Sequence, residues 1–348
     1  MFVTLMIPCR NEAATIERCL RSVMAQEGLD AEWEVLVADG LSDDGTSQIL
    51  ERLAAAEPRL RVIANPQGIV STGLNAALRQ ARGDVILRLD AHTDYAPDYV
   101  RCCLEVLAET GADNVGGPAL TTAEGYVPRA IAAAYHSRFA VGGARFHDPA
   151  YQGPVDTVAY GCWRRSAFER FGGFDEELVR NQDDEHNLRI VRAGGTVWQS
   201  PRIRSWYRPR ASLAALFEQY AQYGYWKVRV IRKHRVPVSL RHLAPGAFLL
   251  ALVLLAAASV LSVLTPLPLG PAPWLLLGLA GLYAAGLATA AFLTARRTDW
   301  KLLPLLPGVF VCYHFGYGWG FLRGTVDAVI LKRGASAACG RLTRASPP

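Results

Sequence analysis

Two stretches near the start of the chain decide the fold: VTLMIPCRNE at residues 3 to 12 and VLVADGLSDDGT at residues 35 to 46. Each begins as an apolar run of strand length and ends in polar, turn-forming residues. Further apolar runs follow at residues 60 to 64 and 85 to 89. The chain therefore begins with four predicted strands, the first two over residues 3 to 7 and 35 to 38.

The segments between these runs have the apolar spacing of amphipathic helices. Ile16, Cys19, Leu20 and Val23 recur at i, i+3, i+4 and i+7, and a second helix is predicted around Leu50. Strands that alternate with helices predict an α/β fold with a parallel sheet covered on both faces. In such sheets, ligands bind beyond the carboxyl ends of the strands.

Polar residues follow the strands at that edge, with residues 8 to 12 after the first strand, Asp39 after the second and Asp90 after the fourth. The first turn lacks both GxGxxG and GxxxxGK[ST], which argues against a dinucleotide oxidoreductase or a P-loop ATPase. Carboxylates at this edge of the sheet could bind the base and ribose of a nucleotide, and a metal could bind the diphosphate of that nucleotide. The edge is therefore predicted to bind a sugar nucleotide.

Five motifs occur in the order seen in glycosyltransferase family 2: IPCRNE, VADGLSDDGT, LRLDAHTDY, GCWRRSAFERFGGFDEE and NQDDEHNLRI. With its apolar C-terminal part, the chain most resembles the membrane glycosyltransferases of bacterial succinoglycan and exopolysaccharide biosynthesis. The resemblance implies a GT-A fold, a Rossmann-like sheet with a parallel core and flanking helices, followed by transmembrane helices.

The resemblance also implies a nucleotide site. Asp39 would accept hydrogen bonds from the pyrimidine or the neighbouring ribose, and Pro8, Arg10 and Glu12 would complete the site. Helix capping alone is the alternative for the acids of the turn after Asp39.

The metal motif of the family, DxD, is Asp90-Ala91-His92 here. Because an imidazole replaces an oxygen ligand, we expect Mn²⁺ in preference to Mg²⁺ at Asp90 and His92. Two alternatives stay open: His92 binds a phosphate instead, or Asp94 is the second ligand.

The general base implied by the resemblance is Asp183, which aligns with the Asp of the family's Glu-Asp motif. Gln182 replaces the usual Glu and removes a like charge beside the base. Asp184 is the alternative base and a candidate acceptor-binding residue. The acids of this first helical turn could instead only complement the helix dipole, with Asn181 as the N-cap.

Acceptor-binding residues are predicted in two places. Arg164 and Arg165 suit bidentate contact with a lipid-linked pyrophosphate, although surface solvation explains them equally well. Gln219, Gln222 and Trp226 resemble the QxxRW motif of processive synthases without its Arg. That departure favours the addition of one sugar per encounter.

Residues 243 to 295 contain no Asp, Glu, Lys, Arg or His, which suits two membrane crossings at about 244–265 and 273–295 with a tight turn between them. Basic residues flank the pair, so the positive-inside rule places both ends in the cytoplasm. A third apolar segment, 302–322, is interrupted by Pro and Gly. Whether it crosses or is re-entrant stays open.

The net charge of +6 is unevenly distributed. Residues 201 to 242 contain ten Lys or Arg and one acid, whereas the first 200 residues carry a net charge of −9. The basic charge therefore belongs to membrane-proximal sequence and argues against nucleic-acid binding. Residues 205 to 242, rich in Trp and Tyr, are predicted as interfacial helices on anionic lipid, with an ordinary solvated helix as the alternative.

The predicted domains are a cytosolic GT-A catalytic domain (1–204), the basic aromatic helices (205–242), a transmembrane region (243–322) and a basic tail (323–348). The predicted function is inverting, metal-dependent transfer from a nucleotide sugar, expected to be a UDP-sugar, to a polyprenyl-pyrophosphate-linked saccharide. The setting would be exopolysaccharide or cell-surface glycan synthesis at a bacterial inner membrane. Alternatives are a polyprenyl-phosphate glycosyltransferase and a non-catalytic scaffold subunit of a polysaccharide assembly complex.

Overall fold

A computed structural model describes residues 1–237, 239–265, 270–336 and 339. The chain forms two compact units. The first contains Met1–Thr122 and Ala144–Arg208, and the second contains Ala123–Gly143 and the described residues from Pro209 onward. The predicted domains had placed residues 123 to 143 in the catalytic part, whereas they pack with the C-terminal helices.

The first unit contains all of the described strands. Their bounds are β1 Phe2–Cys9, β2 Glu32–Asp39, β3 Leu60–Ala64, β4 Val85–Arg88, β5 Thr93–Tyr95, β6 Asn114–Gly117, β7 Ala119–Thr121, β8 Gly153–Pro154, β9 Ala159–Arg164, β10 Val197–Gln199 and β11 Ser205–Tyr207. The four predicted strands are confirmed as β1 to β4.

The helices divide between the units, with α5, α6 and α9 to α12 in the second. Their bounds are α1 Ile16–Met24, α2 Thr46–Ala56, α3 Val70–Gln80, α4 Tyr99–Thr110, α5 Tyr126–Tyr135, α6 Arg138–Val141, α7 Arg165–Phe171, α8 Gln182–Arg192, α9 Leu213–His234, α10 Ala244–Leu264, α11 Ala272–Arg297 and α12 Leu306–Thr325. The two predicted amphipathic helices are confirmed as α1 and α2.

The main sheet has the order β3-β2-β1-β4-β9-β6-β10-β8. Strands β3, β2, β1 and β4 are parallel, and β9 is antiparallel to both β4 and β6. The sheet therefore has the predicted parallel core but is mixed as a whole. A second sheet of three strands has the order β5-β11-β7.

The side chains of the core strands are buried on both faces of the sheet, which are covered by helices. On β1, Leu5 and Ile7 join the cluster that contains Leu20 of α1, whereas Met6 joins the cluster that contains Leu74 of α3. Successive side chains of a strand point to opposite faces, so a strand covered by helices on both sides is apolar throughout. This explains why these strands are continuous apolar runs instead of alternating ones.

The parallel strands end at one edge of the sheet. Cys9 at the end of β1 pairs in register with Asp39 at the end of β2, and Met6 pairs with Arg88 at the end of β4. The loops that carry the predicted site residues therefore leave the sheet side by side.

In the second unit, α10 and α11 are long and apolar enough to cross a membrane, the first within the continuous helical segment Leu240–Leu264. Both predicted crossing segments are therefore helical. The centre of the predicted turn between them, residues 266 to 269, lies outside the described residues, as do residues 340 to 348 of the predicted tail.

Most of the third apolar segment lies in the continuous helix α12, in which Gly316 and Gly320 pack against α9. A Cβ atom at Gly320 would overlap the carbonyl oxygen of Ala221, and one at Gly316 would lie 2.8 Å from the carbonyl oxygen of Phe217. Small residues four apart let two helix backbones approach closely. Gly316 and Gly320, which were predicted to interrupt this segment, therefore lie on the face of α12 that packs against α9.

Candidate active site

Arg88, at the carboxyl end of β4, contacts two of the predicted site acids. Its Nη2 atom donates to Oδ1 of Asp90 at 3.0 Å, and its Nη1 atom donates to Oδ2 of Asp183 at 3.1 Å. The Arg88 side chain is only 7% exposed. Burial alone would lower the pKa of Arg88, but the carboxylates of Asp90 and Asp183 outweigh it and leave that pKa raised. One charged guanidinium thus holds the predicted metal ligand and the predicted base together.

Arg88 was not among the predicted site residues, although its sequence context contains a signal. The residue interrupts an otherwise apolar run, VILRLD at residues 85 to 90. A cation in a buried strand requires anionic partners because an unpaired buried charge is costly. The pattern therefore indicates that carboxylates must converge on this strand end.

The turn after β4 is held by buried hydroxyl groups. The backbone N–H of Asp90 donates to Oη of Tyr95 at 2.6 Å, and Oη of Tyr160 lies 2.7 Å from Oγ1 of Thr93. Burial raises the pKa of both Tyr95 and Tyr160, so both phenols remain protonated. These contacts fix the backbone on which Asp90 and His92 are placed.

His92 contacts Glu12 from the loop after β1. Nδ1 of His92 lies 3.0 Å from Oε1 of Glu12, and Oγ1 of Thr15 donates to the other Glu12 oxygen at 2.6 Å. The His92 and Glu12 side chains are 19% and 11% exposed. Glu12, predicted to bind the nucleotide, is therefore placed against the predicted metal ligand.

Asp39 lies at the end of β2 and is mostly buried. Its two oxygens accept hydrogen bonds from the hydroxyl groups of Ser42 at 2.6 Å and Ser47 at 2.7 Å. A carboxylate has about four lone-pair sites, so these bonds orient the group without exhausting its capacity to accept. At the start of α2, the carboxylate of Asp44, and not that of Asp39, accepts from the backbone N–H of Thr46 at 3.0 Å.

Arg10 extends from the end of β1 across two glycine-containing loops. A Cβ atom at Gly40 would lie 3.1 Å from Cβ of Arg10, and one at Gly68 would overlap its Nη1 atom. Gly68 also has a φ of +68°, which favours glycine. Pro8 pairs in register with Ala38. Pro8, Arg10 and Asp39 therefore share one edge of the sheet.

Helix α8 carries the predicted base in its first turn. The Asp183 side chain is 32% exposed, whereas Asp184 and Glu185 are buried and Glu185 pairs with Arg189 at 2.9 Å. The backbone N–H of Asp184 donates to Oδ1 of Asp183 at 2.9 Å. Asn181 occupies the predicted N-cap position, but its side chain makes no capping bond. The exposure favours Asp183 over Asp184 as the acid that reacts.

His186, on the same helix, anchors α8 in the core. Its Nε2 atom lies 3.1 Å from the carbonyl oxygen of Gly172, and its ring packs against Phe168 and Phe174. Burial, with a smaller contribution from the charge of Arg189, lowers the pKa of His186 to about 3. The ring is therefore neutral, and Nε2–H donates to Gly172.

Comparisons with known proteins identify the family and the fold of this chain. A family profile, Glycosyl transferase family 2, matches residues 4 to 171. The succinoglycan biosynthesis protein ExoA of Rhizobium meliloti (strain 1021) is 34% identical over 297 residues, which cover 82% of this chain and 89% of that protein. This chain belongs to glycosyl transferase family 2.

Two further similarities concern another relative and the fold. A dolichyl N-acetyl-alpha-D-glucosaminyl phosphate 3-beta-D-2,3-diacetamido-2,3-dideoxy-beta-D-glucuronosyltransferase of Methanococcus voltae is 26% identical, over 67% of this chain and 74% of that protein. The mannosyltransferase PcManGT of Pyrobaculum calidifontis, solved with GDP-Man and Mn²⁺, superposes with a TM-score of 0.59 at 21% identity, over 91% of this chain and 87% of that chain. The predicted family and GT-A fold are confirmed, and the chain is a glycosyltransferase.

The donor atoms of this family 2 glycosyltransferase fit a metal that is shared with a nucleotide. Within the part of the chain that the structure describes, no three His, Cys, Asp or Glu side chains converge as a metal cluster. Asp94, the alternative ligand, pairs with Arg18 at 2.8 Å. One carboxylate and one imidazole suit Mn²⁺ when phosphate oxygens complete the coordination.

The structure does not bring Arg164 and Arg165 to the active site of the glycosyltransferase. Arg164 pairs in register with Val85, at the opposite end of β4 from Asp90. Its guanidinium donates to the carbonyl oxygen of Leu107 at 2.9 Å, and that of Arg165 donates to backbone carbonyls of residues 81 and 83. Both arginines satisfy backbone acceptors in the first unit.

Gln219, Gln222 and Trp226 lie on α9 and are buried within the second unit. Nε2 of Gln219 donates to Oη of Tyr223 at 3.1 Å, and the indole N–H of Trp226 donates to the carbonyl oxygen of Cys339 at 2.9 Å. The hydrogen bonds of Gln219 and Trp226 lie within the second unit.

Proposed function

We propose that this glycosyltransferase moves a sugar from a nucleotide sugar, a UDP-sugar, to a polyprenyl-pyrophosphate-linked saccharide, with inversion at the anomeric carbon. The observation that carries the proposal is the contact of Arg88 with both Asp90 and Asp183. It joins the acid on the nucleotide side to a partly exposed acid suited to the acceptor side.

Asp183 acts as the general base. Its carboxylate takes the proton of an acceptor hydroxyl group, and the oxygen attacks the anomeric carbon of the donor sugar. A new carbon–oxygen bond forms on the face opposite the bond that breaks, and the electron pair of that bond leaves with the nucleoside diphosphate. Inversion follows from this single displacement.

Asp39 and Arg10 supply the nucleotide side of the site. Asp39, oriented by two serine hydroxyl groups, accepts hydrogen bonds from the pyrimidine or ribose. The guanidinium of Arg10 lies at the same edge and suits a phosphate oxygen. Asp90 and His92 would hold a divalent cation, Mn²⁺ or less favourably Mg²⁺, which supplies positive charge against the leaving diphosphate.

A lipid-borne acceptor is supported by the second unit and by the relatives. Helices α10 and α11 have the length and composition of membrane spans. Arg235 and Arg241 precede the pair and Arg296 and Arg297 follow it, so the positive-inside rule favours a catalytic unit on the cytoplasmic side of a bacterial inner membrane. Two relatives, a succinoglycan biosynthesis protein and a glucuronosyltransferase named for a dolichyl glucosaminyl phosphate, support exopolysaccharide or cell-surface glycan synthesis, within or beside an assembly complex.

The test is release of nucleoside diphosphate from a panel of sugar nucleotides. Membranes containing the chain would be supplied with Mn²⁺ and an extract of polyprenyl-pyrophosphate saccharides. Asp183→Asn is expected to lower turnover by on the order of 10² to 10⁴ while donor binding is retained. Asp30→Asn, which changes an exposed acid before β2, is the matched control and should turn over normally.

The product of the same reaction defines the acceptor class. A sugar–sugar linkage with inverted configuration supports the proposal, whereas a phosphodiester product would identify a polyprenyl-phosphate glycosyltransferase. Equal losses of donor binding and turnover in Asp183→Asn would reject Asp183 as the base. Donor binding without turnover of any donor would favour the scaffold function.

A further inference from the structure

The loop after β1 is fixed to the loop after β2 by three consecutive backbone donors. The N–H groups of residues 11, 12 and 13 donate to Oγ of Ser42 at 2.9 Å, Oγ1 of Thr46 at 2.8 Å and Oδ2 of Asp44 at 3.1 Å. Asn11 has a φ of +54°, a conformation that Asn tolerates better than most residues. The backbone of Glu12 therefore has one defined position.

The side chain of Glu12 is fixed as well. One of its oxygens accepts the hydroxyl proton of Thr15, and the other contacts Nδ1 of His92. An ionised carboxylate can only accept hydrogen bonds, so the proton between Glu12 and His92 is carried by Nδ1 of the ring. In neutral His92, the lone pair is consequently on Nε2.

We propose that Glu12 is a positioning residue that sets the tautomer and orientation of His92 so that Nε2 is presented to a divalent cation. A carboxylate that accepts from the second ring nitrogen is a common partner of metal-binding histidines, and it raises the basicity of the ligand. This inference rests on the proposed metal-dependent transfer. It assigns Glu12 a role through His92 in place of the predicted direct contact with the nucleotide.

Phosphate binding by His92 is less consistent with this arrangement. To donate to a phosphate, neutral His92 would need its proton on Nε2, and Nδ1 would then face the carboxylate of Glu12 without a proton between them. The contact at 3.0 Å would place two acceptors together. With a neutral ring, the contact of His92 with Glu12 therefore favours a cation over a phosphate as the partner of Nε2.

The test is Mn²⁺ affinity, measured on the full-length chain in detergent by the electron paramagnetic resonance signal of free Mn²⁺ in the presence of UDP or GDP. Glu12→Ala is expected to weaken Mn²⁺ binding about 10- to 100-fold, the usual effect of removing such a partner. Glu12→Gln keeps an oxygen that accepts from Nδ1 and should restore most of the affinity. Glu17→Gln, on the exposed side of α1, is the matched control and should bind Mn²⁺ as the unsubstituted chain does.

A double-mutant cycle with His92→Asp isolates the pair from general effects on folding. A carboxylate at this position has no tautomer to select, so Glu12→Ala should then change Mn²⁺ affinity less than threefold. Equal losses of affinity from Glu12→Ala in both backgrounds would overturn the inference. Weaker metal-free binding of UDP or GDP by Glu12→Ala, with unchanged Mn²⁺ affinity, would show instead that Glu12 contacts the nucleotide directly.

The same measurement separates this inference from the proposed function. If the unsubstituted chain binds Mn²⁺ with a nucleoside diphosphate and Glu12→Ala binds it equally well, only the role of Glu12 is rejected. If the unsubstituted chain binds no Mn²⁺ with either nucleotide, metal dependence and the role of Glu12 are rejected together.

Discussion

Arg88 and Asp183 lie 95 positions apart in the chain, yet Nη1 of the arginine donates to Oδ2 of the aspartate at 3.1 Å. The same guanidinium reaches Asp90 through its other terminal nitrogen. Two carboxylates this close would repel each other without a cation between them. The contact therefore does more than orient the two acids, because it makes their proximity electrostatically acceptable.

Replacement of this cation is expected to affect both stability and activity. Arg88→Met leaves two neighbouring acids without their partner and should destabilise the first unit by about 3 kcal/mol, the lower end for a broken buried pair because both acids are partly exposed. Arg88→Lys keeps the charge, but an ammonium group lacks the planar pair of donors with which the guanidinium contacts both acids. The effect on turnover should therefore be larger than the effect on stability. Thermal unfolding and donor turnover measure the two effects.

Arg79→Met is the control for Arg88. Arg79 is 69% exposed and contacts Glu176 at 3.8 Å, so its loss should change stability by no more than about 1 kcal/mol. Similar destabilisation by the two substitutions would contradict the bridging role of Arg88.

Removal of divalent metal should abolish turnover. Chelator-treated membranes are expected to recover activity with Mn²⁺ better than with Mg²⁺, because one of the two protein donors is an imidazole. His92→Asp replaces the imidazole with a carboxylate, so both protein donors are oxygens. The preference for Mn²⁺ over Mg²⁺ should therefore become smaller or reverse. Dose–response curves for each metal, for both proteins, provide the measurement. Full turnover in the presence of chelator would contradict the proposed role of Asp90 and His92.

The parallel core of the fold followed from local patterns that are strong in this sequence, whereas the GT-A fold was implied by the family resemblance. The strands β1 to β4 are long apolar runs that end in turn residues, and α1 shows a clear buried face, so each could be placed without knowledge of its neighbours. The antiparallel insertion of β9 between β4 and β6 could not be placed, because strand order depends on long-range pairing that no local pattern encodes.

The candidate site depends both on local motifs, which can be recognised in the sequence, and on long-range contacts, which cannot. Asp39, Asp90 and Asp183 were predicted from their resemblance to family motifs, but the position of Glu12 against His92 depends on a contact across 80 residues. Arg164 and Arg165 were assigned from their chemistry alone. The register of β9 places Arg164 opposite Val85, at the end of β4 away from Asp90. Charge type predicts what a residue can bind, whereas strand direction decides whether it is near the site.

The buried His186 should make the enzyme sensitive to acid. Its pKa is about 3 in the folded chain and near 6.5 when unfolded, so only the unfolded chain takes up a proton between those values. The stability that neutral His186 contributes is therefore fully present above about pH 6.5 and is lost as the pH falls toward 3, by at most about 1.4 kcal/mol per pH unit.

His186→Gln provides the comparison for this prediction. The amide keeps an N–H that can donate to the carbonyl oxygen of Gly172 but has no charge to gain. The thermal midpoint of the variant should fall less steeply than that of the unsubstituted chain between pH 6.5 and pH 4. Parallel slopes for the two proteins would show that other groups cause the acid sensitivity.

Two glycine substitutions, one where α12 packs on α9 and one in α11, are expected to differ in their effect on stability. Gly320→Ala places a methyl group against the backbone oxygen of Ala221, which a side-chain rotation cannot relieve, and should destabilise the second unit by about 1 to 3 kcal/mol. Gly281→Ala, in α11, meets no atom within 4 Å and should be neutral or slightly stabilising. Thermal unfolding in one detergent compares the variants directly. Equal stability of the two would mean that α12 does not depend on close backbone contact with α9.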